Sequence, residues 1–129
     1  MKNVLQWYFL LLIVLFCSAI MTREGFESSP ATLFKDIANK TVFLLVYIKG
    51  CKHCSDLKPA WDKVASKNTD KMVAIDASNS SDPTIQAIVK KLNITGYPAM
   101  FEMTNGEVVK TYDGGRTEQD LTTFVDSIS

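Results

Sequence analysis

Apolar residues fall into one long N-terminal run, then into shorter blocks whose spacing switches between the period of a strand and that of a helix. The first run, Val4 to Met21, reads VLQWYFLLLIVLFCSAIM, with Gln6 its only strongly polar side chain. About eighteen residues rising about 1.5 Å each reach roughly 27 Å, near the thickness of bilayer hydrocarbon. Trp7 and Tyr8 lie near one end, where amphipathic rings favour the interface, and Arg23 with Glu24 closes the other. Residues 1–21 are therefore expected to be a signal-anchor transmembrane helix. The rival is a cleaved signal peptide, because Cys17-Ser18-Ala19 offers small residues for cleavage after Ala19. The anchor is favoured, since the apolar run exceeds a usual h-region and the charged n-region is thin. Cys17 reads as an inert small apolar residue of the span, with palmitoylation the alternative.

Residues 22–29, TREGFESS, are polar and aperiodic and read as a linker to a domain at 30–129. Ser29 can cap a short helix with Pro30 in its first turn and Leu33, Phe34, Ile37 and Ala38 on one face. Thr41 to Ile48, TVFLLVYI, is β-branched and aromatic almost without interruption, as suits a central strand covered on both faces. From Cys54, the spacing of Leu57, Trp61, Val64 and Ala65 predicts a helix to about Lys67, kinked at Pro59. Met72 to Ile75 predicts a second strand. Asp82-Pro83 then caps a helix carrying Ile85, Ile88, Val89 and Leu92. Ala99 to Met103 and Val108 to Tyr112 flank Asn105-Gly106, which favours a type I′ hairpin. Thr117 with Asp120 resembles a capping box ahead of Leu121, Phe124, Val125 and Ile128. The order α-β-α-β-α-β-β-α implies an α/β domain, with parallel strands early and antiparallel ones late.

Composition narrows the function. The 129 residues, 47% hydrophobic and 22% charged, suffice for one domain of about 100 residues plus the appendage. Lys plus Arg and Asp plus Glu balance at 14 each, so no basic surplus points to nucleic acid, and none is expected as a partner. Three cysteines, Cys17, Cys51 and Cys54, are too few for a disulfide framework. Lys2 precedes the span, whereas Glu24 and Glu27 accompany Arg23 after it, which turns the domain toward the lumen or exterior. The sequons at Asn39, Asn79 and Asn93 agree with that side. A single-pass protein of the endoplasmic reticulum or another secretory compartment, or of a viral membrane, is expected.

The chemistry concentrates in KGCKHCSDLKP, residues 49–59. Structural zinc needs four ligands, and His53, wedged between the cysteines, cannot easily complete a tetrahedron with them; no metal is expected. Covalent haem wants histidine directly after the second cysteine, where Ser55 stands. Two merely structural cysteines would leave His53 and the lysines without a role. A working dithiol has a mechanism: with a helix beginning near Cys51, the unpaired N–H groups and the dipole favour a thiolate there. Lys49, Lys52 and His53 add to that field. Cys54 falls one turn along, within disulfide reach, on the side that Leu57 and Trp61 bury.

Those residues, taken in order, resemble the thioredoxin superfamily and, within it, a protein disulfide isomerase domain, over roughly residues 30–129. Four features carry the resemblance: Cys51-Lys52-His53-Cys54 after a hydrophobic strand, Pro59, Gly96-Tyr97-Pro98 before a strand, and Tyr112-Asp113-Gly114-Gly115-Arg116 before the last helix. The resemblance implies a thioredoxin fold, a central mixed sheet with helices on both faces, here preceded by one hydrophobic helix. It implies Cys51 as nucleophile, Cys54 as its resolving and disulfide partner, and His53 as stabiliser of the outer thiolate. It further implies Pro98 as a cis-proline, with Tyr97 pairing through its backbone with extended substrate. Arg116 matches an arginine that approaches the inner cysteine. Two positions depart from the pattern. Gly50 replaces a tryptophan, removing a packing and substrate-contact surface, and Leu45 replaces a buried acid that relays protons for the inner thiol. The expectation is a membrane-tethered thiol–disulfide oxidoreductase of the oxidase or isomerase type. It acts on protein cysteines with a separate redox partner and needs no cofactor. The alternatives are a thioredoxin-like polypeptide-binding module with little turnover, and a cytosol-facing disulfide reductase.

Overall fold

A computed structural model of the protein describes the backbone of residues 2–19 and 27–128, and the side chains of 3–13 and 27–128. Helix α1, Lys2–Ala19, is 18 residues long and exposes the apolar side chains from Val4 to Ile13 that flank Gln6. Among the described residues no helix is long and apolar enough to cross a membrane. The last two residues of the expected span, linker residues 22–26 and the side chain of Cys17 lie outside the described residues.

The domain orders α2 (Leu33–Asp36), β1 (Thr41–Tyr47), α3 (Lys52–Ala65), β2 (Met72–Asp76), α4 (Pro83–Lys91), β3 (Ala99–Thr104), β4 (Glu107–Thr111) and α5 (Glu118–Ser127). The strands form one sheet in the order β2-β1-β3-β4, with β1 parallel to β2 and antiparallel to β3. Because β1 is central and apolar at nearly every position, its period of two feeds two cores. Phe43, Leu45 and Tyr47 face Trp61, Cys54 and Leu121 of α3 and α5. Val42, Leu44 and Val46 face Leu33, Ile37, Ile85 and Ile88 on the other side. The dithiol helix is thereby seated on the sheet at the C-terminal end of β1.

Local signals explain most boundaries. The Asp82 carboxylate accepts from the N–H of Thr84 at 2.7 Å, with Pro83 opening α4. Thr117 and Asp120 form the reciprocal capping box at the start of α5. Asn105 and Gly106 both take left-handed backbone, φ 53° and 77°, as a type I′ turn requires. Helix α3 continues through Pro59; the carbonyl of Ser55, which loses its helical donor, belongs to an exposed residue that water can serve.

Two expectations are corrected. The first short helix begins at Leu33 rather than Pro30, and Ser29 does not cap it. Instead the hydroxyls of Ser28 and Thr32 both donate to the Asp36 carboxylate, at 2.5 and 2.7 Å, and draw residues 29–32 into a turn. The end of the expected linker also belongs to the sheet: Glu27 bridges Ala74 in parallel, and the N–H of Ser28 donates to the Ala74 carbonyl at 3.1 Å. Glu27 further accepts from the Tyr47 hydroxyl and pairs with Lys58 at 3.4 Å, which ties this strand-like end to both β1 and α3.

Candidate active site

Cys51 is the N-cap of α3, with extended backbone, and Lys52 is the first helical residue. Its sulfur takes the place of a capping oxygen: the N–H of Cys54 points at Cys51 Sγ from 3.3 Å. Cys51 is partly exposed, whereas Cys54, 2% exposed, packs with Leu57, Trp61 and Leu45 in the core. Both are free thiols.

The two thiols differ in acidity for identifiable reasons. Cys51 is held below the ordinary cysteine range, first by the hydrogen bond from the Cys54 thiol and then by the Cys54 N–H. Partial burial opposes this, and the His53 N–H and the Arg116 charge assist it. Cys54 is pushed upward, first by burial and then by donating its own proton to Cys51. The outer thiol is thus made the more acidic of the two and the inner one the less.

The surroundings revise the expected electrostatics. Lys49 lies 3.2 Å from Asp76 and Lys52 3.3 Å from Asp56, so both lysines are engaged by carboxylates rather than directed at the sulfur. His53 contributes its backbone N–H; its ring is exposed and makes no hydrogen bond among the described residues. Arg116 is exposed, and its charge acts on either thiol more weakly than the hydrogen bonds and burial do.

Opposite Cys51 the chain turns through Gly96-Tyr97-Pro98, and the Tyr97–Pro98 peptide is cis. Cys51 Sγ lies 3.8 Å from the Tyr97 carbonyl, which the thiol can use as acceptor. Among the described residues the Tyr97 N–H donates no hydrogen bond. Gly50 has φ +78°, and no heavy atom stands within 4 Å of where a Cβ would be. A side chain at this position would therefore meet open space. Leu45 is fully buried and paired with Ala74 on β2 and Met100 on β3, so none of these three neighbouring sheet positions carries a carboxylate. No group of three or more His, Cys, Asp or Glu able to hold a metal occurs among the described residues. Sequence reasoning missed Ser78, whose hydroxyl accepts from the N–H of Lys49 at 2.8 Å; its only signal is its place just after β2.

The thioredoxin family model matches residues 21–127. The chain belongs to the thioredoxin family. It is 34% identical over 105 residues to a protein disulfide-isomerase of Datisca glomerata, covering 78% of this chain and 19% of that protein. It is 33% identical over 115 residues to protein disulfide-isomerase A4 of Rattus norvegicus, covering 85% of this chain and 16% of that one. Among solved structures, the first thioredoxin domain of mouse protein disulfide-isomerase A4 aligns with a TM-score of 0.65 and 28% identity, over 81% of this chain and 75% of that one. The chain thus spans a fifth or less of these curated relatives, matching them as a single isomerase-like thioredoxin domain with the Cys51 and Cys54 pair.

Proposed function

We propose that the protein is a membrane-anchored thiol–disulfide oxidoreductase of the oxidase or isomerase type, acting on protein cysteines through Cys51-Lys52-His53-Cys54. The observation that carries this reading is the split dithiol: Cys51 at the helix N-cap, partly exposed and receiving the Cys54 N–H, with Cys54 buried behind it. In the oxidising direction a client thiolate attacks Cys51 Sγ of the Cys51–Cys54 disulfide, and the S–S electron pair leaves on Cys54, which takes up a proton. A second client thiolate attacks the client sulfur of the mixed disulfide and expels Cys51 as thiolate. The client gains one disulfide and the domain two electrons, which a disulfide-bearing redox partner must collect. An extended client fits beside Tyr97 and Pro98, where a backbone donor and acceptor are on offer, and over the bare surface at Gly50.

The full chain in detergent should reoxidise reduced, denatured ribonuclease in a glutathione buffer, and Cys51→Ser should fall to the uncatalysed rate. Equal rates in the two would remove the mechanism. Anchoring through residues 1–21, with the domain lumenal or extracytosolic, is part of the same proposal. It is supported by the exposed apolar side chains of α1 and by the charges flanking the run. Extraction of the protein by alkaline carbonate would remove it.

Leu45 favours one other reading, a polypeptide-binding module with slow cysteine chemistry, because this fully buried position holds no acid to take the Cys54 proton. Trapping with Cys54→Ala separates the two. Client mixed disulfides that dissolve in reductant mean turnover, and association indifferent to reductant means binding.

A further inference from the structure

The segment that carries Cys51 leaves the sheet through two exposed residues, Lys49 and Gly50, set between the packed side chains of Ile48 and Cys51. The strand bonds end at the pairing of Tyr47 with Asp76 and at the N–H of Ala77, which donates to the Tyr47 carbonyl at 2.7 Å. Beyond them Lys49 and Gly50 are exposed, and Gly50, in left-handed backbone, touches nothing with its Cα face. Ile48 and Cys51, on either side of these two residues, pack against the core, while the turn between them is held by a chain of polar contacts. The Lys49 N–H donates to Ser78 Oγ at 2.8 Å. Ser78 in turn donates its hydroxyl proton to Asp76 Oδ1, and its own N–H reaches the same oxygen at 2.9 Å. Asp76 Oδ2 meanwhile pairs with the Lys49 ammonium at 3.2 Å. With its proton committed to Asp76, the Ser78 hydroxyl has only a lone pair to turn toward Lys49, so the contact is directional. Asp76 is suited to anchor it: burial works against its ionisation, but the two Ser78 hydrogen bonds and Lys49 hold its carboxyl below the usual range.

We propose that Ser78, oriented by Asp76, is a positioning residue for the dithiol: its bond to the Lys49 N–H fixes the Lys49-Gly50 turn and so seats Cys51 Sγ under the Cys54 N–H and beside the Tyr97 carbonyl. The groups that act directly on Cys51 are Cys54, the His53 N–H and Arg116; Ser78 touches none of them and works through the backbone two residues before the sulfur. The inference rests on the oxidoreductase reading for its purpose, but its test needs no turnover.

The test is the pH profile of Cys51 alkylation by iodoacetamide in the full chain, with the thermal midpoint as a check on folding. Ser78→Ala should move the profile upward and slow alkylation at neutral pH several-fold, each unit of rise being about a tenfold loss of thiolate. Ser78→Thr, which keeps the hydroxyl, should restore the parent profile. Lys49→Ala, which keeps the backbone N–H, should change it little. An unchanged profile in Ser78→Ala overturns the proposal, and so does an equal shift in the alanine and threonine variants. Should the alanine variant not fold, Asp76→Asn takes its place and must shift the profile in the same direction. An inactive parent with these shifts intact would instead sink the oxidoreductase reading and leave the positioning role standing.

Discussion

The N–H of Cys54 points at the sulfur of Cys51 across 3.3 Å, so the inner residue of the pair stabilises the outer one twice, through its backbone and through its thiol proton. These two contributions can be separated. Cys51 in the parent should alkylate with a midpoint below about 8.5, the value of a free cysteine. Cys54→Ala deletes the thiol donor, the larger of the two, and keeps the N–H. Its midpoint should therefore rise above the parent's and still stay below the free value. A midpoint in the parent at or above 8.5 would contradict the electrostatic account; an unchanged midpoint in Cys54→Ala would assign the effect to the helix terminus alone.

Leu45 offers a direct test of proton relay. It lies in the same core cluster as Cys54, between Ala74 and Met100, both apolar. Leu45→Glu should cost about 3 kcal/mol or more of stability where the acid ionises, because nothing there compensates a buried charge. The same change puts a base near the thiol that must lose its proton for resolution. The mixed disulfide formed with a glutathionylated peptide should therefore resolve faster in the variant, as read by quench and mass spectrometry. Equal lifetimes in a folded variant would mean that resolution is not limited by deprotonation of Cys54.

Much of this architecture was legible because its signals are local. TVFLLVYI reads as a strand covered on both faces, and β1 is buried from Val42 to Tyr47. Asp82-Pro83 and Thr117 with Asp120 carry their capping partners within three residues, and both caps form. What was not legible depends on which polar side chains find each other once the chain folds, whether near or far in sequence. Lys49 and Lys52 look like free cations beside the dithiol, but Asp76, on β2, claims the first, and Asp56, one turn along α3, claims the second. Ser29-Pro30 looks like a helix start, yet Ser28 and Thr32 find the Asp36 carboxylate and the chain turns instead. Glu27 has no periodicity to mark it, and its place is fixed by Ala74, Tyr47 and Lys58.

Gly50 should resist replacement for a conformational reason alone. Its φ of +78° is unfavourable for any residue with a Cβ, while the space around it is open. Gly50→Ala should lower stability by about 1 kcal/mol in denaturant titration, without the larger loss that a clash would bring. Gly50→Asn, which tolerates left-handed backbone better, should lose less. If alanine and asparagine lose equally, the left-handed turn does not govern this position. Gly50→Trp, which puts a bulky side chain on the same left-handed backbone next to Cys51, should disturb Cys51 alkylation as well as stability.

Asn39, Asn79 and Asn93, each the first residue of a sequon, are all exposed. Asn39 and Asn93 sit at turns with left-handed backbone, φ 59° and 51°. By contrast Asn68, outside any sequon, spends its amide on the Val64 carbonyl at 2.9 Å. A lumenal domain presents these three side chains to the glycosylation machinery without opening the fold. Translation of the full chain with microsomes should give slower-migrating forms that collapse on endoglycosidase treatment, and each Asn→Gln change should remove one step of the ladder. A reporter sequon in a flexible C-terminal extension supplies the control. If the reporter is modified and the native three are not, the domain is lumenal and the sequons are idle. If none is modified, the domain faces the cytosol, and an oxidising role for Cys51 and Cys54 gives way to reduction.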